Sequence, residues 1–321
     1  MSSPSRSEIR KSLRTTWDPG WKWFIPRLKL RARQALHAPG LVTGADVERP
    51  IFVLGAPRSG TTLLFRILQA SNRVATWWPG EAHEVWEAEH HPTLRGWSSN
   101  ELTAADATPD TIRRIRREFY LTVGGRKRLL DKTPRNALRV PWVDAIFPDA
   151  TYVFLRRDGR DTVNSLINAW RSPRYKTYEL PEPLAVPGVD GRWWKFVLYP
   201  GWEADRTGPV ERIAAKQWSA SIEGILSAKE RVDASRWTDI SYEDLVDDPV
   251  GEAERLAKVI DLPFEDAVRS KAEGLKTTAY NTVTPPERGK WRRENPQEIR
   301  SILSEIEPAM TKLGYSMEEI A

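Results

Sequence analysis

The sequence predicts an α/β fold, a mostly parallel sheet flanked by helices. Three observations predict it. Short apolar runs alternate with longer helical patterns, the mark of strands joined by crossover helices. The run Ile51–Leu54 leads into a glycine loop and then an apolar helix. The run Thr151–Leu155 ends in the arginine cluster Arg156-Arg-Asp-Gly-Arg160, again at the start of a helix.

Residues 1–49 read as a basic, aromatic arm before a domain spanning 50–321. Residues 1–33 carry nine Lys or Arg against two Asp or Glu, a local +7 that leaves the remainder near −2. With Trp17, Trp21, Trp23, Phe24 and Ile25, the arm is expected to pack its rings on the domain while its cations stay solvated. Peripheral contact with a membrane or an acidic partner is the alternative.

The core begins at Pro50, and Ile51–Leu54 reads as a buried parallel strand. Val74–Trp77 is a second strand. Thr108 caps a helix with Pro109 at its first position, and the helix runs through Tyr120 to the stop at Gly124-Gly125. Its Arg113, Arg114, Arg116 and Arg117 read as a solvated face. Arg128–Asp131 is a short strand leading to Lys132, and 136–146 is helical. Residues 171–208 hold five prolines together with Trp193, Trp194, Phe196 and Trp202. A connection of that length reads as a lid or the wall of an acceptor pocket. Residues 209–231 form a long helix with Trp218 in the core. A strand at 236–240 and helices at 252–260 and 297–313 follow.

Two turns carry the chemistry. Gly55-Ala-Pro-Arg-Ser-Gly-Thr-Thr62 has the glycine spacing of a Walker phosphate loop, yet Thr61 stands where that loop has lysine. Its amides and the following helix N-terminus still make an anion site, and Arg58 is its only cation. Arg156–Arg160 makes a second anion site at the end of another strand. Two such sites suit a ligand with two separate phosphates.

These residues resemble the sulfotransferases that use 3′-phosphoadenosine 5′-phosphosulfate (PAPS). Arg58-Ser-Gly-Thr-Thr62 is similar to their 5′-phosphosulfate loop. Arg157-Asp-Gly-Arg-Asp161 with Ser165 is similar to their 3′-phosphate clamp. Lys132, in Leu130-Asp-Lys-Thr-Pro134, matches a catalytic lysine of the tyrosylprotein branch. Tyr242-Glu-Asp-Leu245 and Arg288-Gly-Lys-Trp291 resemble later nucleotide-contacting segments. The resemblance covers roughly residues 50–295. It implies a phosphate-loop sulfotransferase fold and transfer of a sulfuryl group to a hydroxyl or amine, with release of 3′,5′-bisphosphoadenosine (PAP).

The implied donor contacts are Arg58, Ser59, Gly60, Thr61, Thr62, Arg157, Ser165, Tyr242, Arg288, Gly289 and Lys290. Arg58 and Lys132 would act on the sulfuryl group and the leaving oxygen. A general base is expected after the second strand, at Glu81, with His83 and then Glu84 as alternatives. His83-Glu-Val-Trp-Glu87 falls one histidine short of a zinc signature and reads as surface histidines around an acidic helix, with no metal. A kinase on the same scaffold and a non-catalytic nucleotide-binding adaptor are the competing readings. Thr61 speaks against the first and Lys132 against the second.

The chain of 321 residues has a net charge of +5 and no cysteine. Disulfides, thiolate metal sites and cysteine nucleophiles are therefore excluded. No apolar run approaches the length of a membrane span, and the first residues lack a signal peptide's apolar core. A cytoplasmic setting, membrane-peripheral at most, is expected. The acceptor is expected to be a small molecule, a carbohydrate or a lipid-linked alcohol, and no nucleic-acid partner is implied.

Overall fold

The computed structural model describes residues 47–77, 80–123, 127–189, 191–277 and 288–317. The arm before residue 47 lies outside the described residues, as do Trp78 and Pro79. From its start the described chain runs through β1 (Ile51–Leu54), α1 (Thr61–Leu68), β2 (Val74–Ala75), the one-turn α2 (His83–Trp86) and α3 (Pro109–Val123). Next come β3 (Arg128–Asp131), α4 (Val140–Ile146), β4 (Thr151–Arg156) and α5 (Gly159–Arg171). The small hairpin of β5 (Tyr178–Glu179) and β6 (Trp193–Trp194) precedes α6 (Val210–Lys229) and β7 (Trp237–Ser241). Then follow α7 (Tyr242–Asp247), α8 (Pro249–Val259), α9 (Asp266–Glu273), α10 (Trp291–Glu294), α11 (Pro296–Ser301) and α12 (Leu303–Lys312).

The main sheet has the order β2-β3-β1-β4-β7, and every pairing in it is parallel. Alternate residues of each strand serve opposite faces. Phe52, Leu54, Tyr152 and Phe154 join one core, with α3 to α6 and the C-terminal helices. Ile51, Val53, Val153 and Leu155 join the other, with α1, α8 and α9. This double burial explains why the strands read as unbroken apolar runs.

Several boundaries move for local reasons. The helix expected at 136–146 divides into a 3-10 turn, Pro134–Leu138, and α4, because Arg139 leaves helical geometry (φ −143°) and Pro141 opens a new helix. The 297–313 helix divides at Ile302 (φ −115°). Trp218 is fully buried, as expected of a core residue. Arg113 is exposed, but Arg114 and Arg116 do not form a solvated face. Arg114 bonds Glu89 and the Val85 carbonyl, and Arg116 bonds the Ile146 carbonyl. No helix among the described residues is long and apolar enough to cross a membrane.

The 171–208 segment is fastened by its own aromatics. Tyr178, Trp194 and Trp202 are buried in the first core, with Trp194 edge-on to Trp170 and Trp202. Lys195 is buried beneath them. Its Nζ donates to the carbonyls of Ala169 (3.3 Å), Trp170 (2.5 Å) and Ser172, closing the C-terminus of α5. Burial there lowers its pKa to about 8.

Candidate active site

β1 is the central strand, and the chain departs from it toward both edges. Such a switch point opens a crevice at the carboxyl ends of the strands. The sequence-predicted residues follow five strands into that crevice. Arg58 to Thr62 follow β1, Glu81 and His83 follow β2, Lys132 follows β3, Arg157 follows β4, and Tyr242 follows β7.

The loop after β1 has the close contacts of an anion cradle. A Cβ on Gly55 would lie 2.7 Å from the Thr61 γ-methyl and 2.9 Å from the Leu155 carbonyl oxygen. Gly60 has φ 101°, and a Cβ there would lie 2.4 Å from the Tyr242 ring. Arg58 takes φ 71°, a conformation that a non-glycine residue holds only where its surroundings enforce it. Ser59 Oγ donates to the Ala56 carbonyl at 2.7 Å and pins the turn. No side chain caps α1, whose N-cap is Gly60. Its first-turn amides are thus placed to receive an anion.

The second turn closes on the first. Arg157 donates through Nη1 to the Arg58 carbonyl (3.2 Å), and its guanidinium lies 4.1 Å from the centroid of the Tyr242 ring. Arg58 Nε donates to Ser165 Oγ at 3.3 Å. The carboxylates adjoining Arg157 hydrogen-bond to other groups, although the Arg157 charge still acts on Asp161. Asp158 caps α5 and pairs with Arg160 at 2.6 Å, while Asp161 accepts the amides of Gly289 (2.7 Å) and Trp291 (3.4 Å). Among the described residues Arg157 forms no ion pair, and its buried Nε has no hydrogen-bond partner. Burial lowers the Arg58 pKa, Tyr175 opposes that, and the Arg157 charge adds to it. Two guanidiniums held this way, one with a buried donor still to be satisfied, suit an anionic ligand.

The 288–290 segment reaches the same place. The Gly289 amide bonds Asp161, Arg288 pairs with Asp247 at 2.5 Å, and Lys290 stands at the N-cap of α10. Residues 278–287, which lead into it, lie outside the described residues.

Beside the loop runs a chain of polar contacts. Lys132 is 5% exposed. Its Nζ donates to Thr62 Oγ1 at 3.1 Å and pairs with Glu81. Glu81 Oε2 lies 2.6 Å from His83 Nε2. Burial would raise the Glu81 pKa, but the Lys132 charge and the bond to His83 outweigh it and hold the carboxyl well below the ordinary range. Burial and the Arg135 charge keep the His83 pKa low against the pull of Glu81. With an ionised Glu81 and a neutral imidazole, Nε2 carries the proton and donates it. His83 Nδ1 is buried with no hydrogen-bond partner. Glu84 is exposed on α2.

The structure also shows residues the sequence reading missed. Glu87 is fully buried, not part of a surface acidic helix, and it pairs with Arg135. His91 is 1% exposed rather than at the surface. These side chains are internal because α2 lasts one turn and the chain then folds under the hairpin. Asp131, next to Lys132, accepts from the Trp86 indole (3.2 Å) and from Thr133 Oγ1 (3.2 Å), and burial pushes its carboxyl up to about 7. Tyr175, from the 171–208 segment, places its ring centroid 5.0 Å from the Arg58 guanidinium carbon.

The model of the sulfotransferase family matches residues 50–185 and 194–266. Protein-tyrosine sulfotransferase A of Caenorhabditis elegans is 24% identical in an alignment 288 positions long that covers 83% of this chain and 67% of the relative. Protein-tyrosine sulfotransferase of Drosophila melanogaster is 24% identical over 83% of this chain, which spans 51% of the fly protein. Sulfotransferase STF9 from Mycobacterium avium superposes with a TM-score of 0.59 at 18% identity, covering 91% of this chain and 83% of the other. That likeness establishes the shared α/β architecture.

Proposed function

The chain belongs to the sulfotransferase family, and from that premise we propose that it takes the sulfuryl group from PAPS and passes it in line to an acceptor hydroxyl or amine, releasing PAP. The observation that carries the donor assignment is the meeting of two anion-binding turns, Arg58 against Ser165 and Arg157 against the Arg58 carbonyl. Ser59 to Thr62 and the α1 N-terminus hold the 5′-phosphosulfate. Arg157 and Ser165 hold the 3′-phosphate, with the 288–290 segment above them. Tyr242 supports the floor under Gly60. Thr61 is 4% exposed and packed under the loop. No lysine therefore stands where a phosphate-loop kinase meets its triphosphate.

In the transfer, the acceptor oxygen attacks sulfur while the bond from sulfur to the bridging oxygen of PAP breaks. Glu81 accepts the acceptor's proton, and Lys132 stabilises charge growing on the bridging oxygen. Arg58 faces the sulfuryl oxygens once a donor draws it from Ser165. In the free protein Lys132 and Glu81 neutralise each other. Donor binding gives Lys132 a second anion and thereby frees Glu81 as a base. His83 orients Glu81 rather than replacing it, since its Nε2 is already engaged and its Nδ1 is buried. Tyr175 and Phe196, whose rings lie 5.4 Å apart, form the wall for the acceptor. The acceptor class proposed is a ring-bearing alcohol: a phenol, a sugar or a lipid-linked glycoside.

Calorimetric titration with PAP against ATP–magnesium tests the donor reading, followed by a screen of acceptors with PAPS. PAP should bind and ATP–magnesium should not. The reverse preference would return the chain to the kinase reading.

A further inference from the structure

Two ion pairs tie the same two segments together. At the site Glu81 pairs with Lys132, and deeper in the protein Glu87 pairs with Arg135. The first pair is a third exposed on the Glu81 side, whereas Glu87 is 0% and Arg135 7% exposed. Glu87 also reaches the 171–208 hairpin. Tyr178 Oη donates to Glu87 Oε1 at 2.9 Å and accepts from Asn100 Nδ2 at 2.7 Å. The Arg135 guanidinium lies 4.7 Å from the centroid of the Tyr178 ring. Asn100 in turn exchanges two hydrogen bonds of 2.7 Å with the Leu198 backbone.

This arrangement is poorly suited to stability alone. Buried ion pairs often do no better than apolar side chains of the same volume. Here a second arginine, Arg139, lies 3.8 Å from the same carboxylate and keeps a guanidinium nitrogen without a partner. One carboxylate faces two buried guanidiniums, directly behind His83. Apolar side chains would fill this space at less electrostatic cost, so a purpose beyond packing is indicated.

We propose that Glu87 is a positioning residue: through Arg135 and Tyr178 it fixes the spacing of the Glu81 and Lys132 segments and makes that spacing depend on docking of the 171–208 hairpin. The proposal rests on the roles given to Glu81 and Lys132 above. The charged groups around the assembly are known. Glu81, Arg135 and Glu87 face His83, Lys132 and His83 face Glu81, and Arg135, Arg139, His83 and His91 face Glu87. With Arg135 in place the imidazole stays neutral and donates to Glu81 without handing it a proton. Burial is the larger cause of its lowered pKa, and loss of the Arg135 charge removes the second and shifts the imidazole toward the protonated form.

The chain has four histidines, so nitrogen-15 histidine NMR can follow His83 directly. Arg135→Gln should raise its titration midpoint. Tyr178→Phe keeps every charge and removes only the hydroxyl that links the hairpin. It should slow release of PAP from PAPS roughly tenfold while leaving PAP affinity within about twofold, since one hydrogen bond to a charged group is at stake. An unmoved His83 midpoint, or undiminished turnover in Tyr178→Phe, overturns the proposal. Failure of the wild-type protein to bind PAP would refute the donor reading instead, and the His83 titration would still judge the link to Arg135.

Discussion

Arg58 Nε donates to Ser165 Oγ across 3.3 Å, joining the loop after β1 to helix α5, 107 residues further along the chain. That contact makes the phosphate loop and the arginine turn one site. It also places two like charges side by side, since Arg157 bonds the Arg58 backbone. A ligand with phosphates at both ends relieves their repulsion.

Arg157→Ala should weaken PAP by about 10- to 100-fold, the loss expected for charge-assisted hydrogen bonds to one phosphate. Binding of adenosine 5′-phosphosulfate, which lacks the 3′-phosphate, should change little. Titrating the variant with both ligands checks this. Equal weakening of the two would remove Arg157 from the 3′-phosphate.

Lys132→Ala should lower kcat by about 100- to 1,000-fold and change PAP affinity far less. Lys132 contacts Thr62 at 3.1 Å and Glu81, a place between loop and base where charge matters most as the bridging oxygen departs. Single-turnover rates beside equilibrium binding separate the two effects. Parallel losses would make it a binding residue.

Glu81→Gln should reduce transfer by at least about 100-fold with nucleotide affinity intact, because the amide cannot accept a proton. An active variant would move the base to another group, such as His83 at 2.6 Å.

Gly60→Ala should destabilise the fold and abolish PAP binding. At φ 101° a side chain is strained by about 1–3 kcal/mol, and its Cβ would sit 2.4 Å from the Tyr242 ring. Tyr242→Ala in the same chain should restore part of the thermal stability, because it removes the collision and leaves the strain. No recovery in Tm would mean that the ring is not what the new methyl strikes.

Asp131 gives a pH signature. Burial, outweighing the bonds from Thr133 and Trp86, lifts its pKa to about 7 from 3.8. The folded state therefore holds a proton there more tightly than the unfolded chain. Its stabilising contribution is complete below pH ~4 and is lost as pH rises to ~7. The described histidines, whose pKa values are lowered, impose the opposite slope, so the comparison is with Asp131→Asn, in which they are unchanged. The Tm of Asp131→Asn relative to wild type should rise between pH 5 and pH 7. A constant difference would mean that Asp131 is ionised throughout.

The sheet and the polar turns at its edge were legible because both are local signals. Ile51–Leu54 is apolar throughout since both its faces are covered, and Gly55 and Gly60 stand where a Cβ would collide. Lys132 and Arg157 could be placed since each directly follows a strand. Glu87 could not. In sequence it resembles a failed metal ligand, and its meaning depends on Arg135, 48 residues away, and on Tyr178, 91 away. The same holds for Arg114 and Arg116, whose helical spacing suggests a wet face but whose partners lie on other elements. Pairings set by tertiary packing leave no periodic trace.

The ring of Tyr242 beneath Gly60 and the Asp161 bond to the Gly289 amide carry a consequence for biosynthesis. The glycine loop leaves the ribosome early, whereas Tyr242 and Gly289 follow about 180 and 230 residues later. On the donor reading proposed above, a nascent chain ending before residue 290 lacks part of the donor pocket, however well its first strands have paired. Nucleotide capture should thus report translation past residue 290, and termination before it should yield silent fragments rather than weakened enzymes.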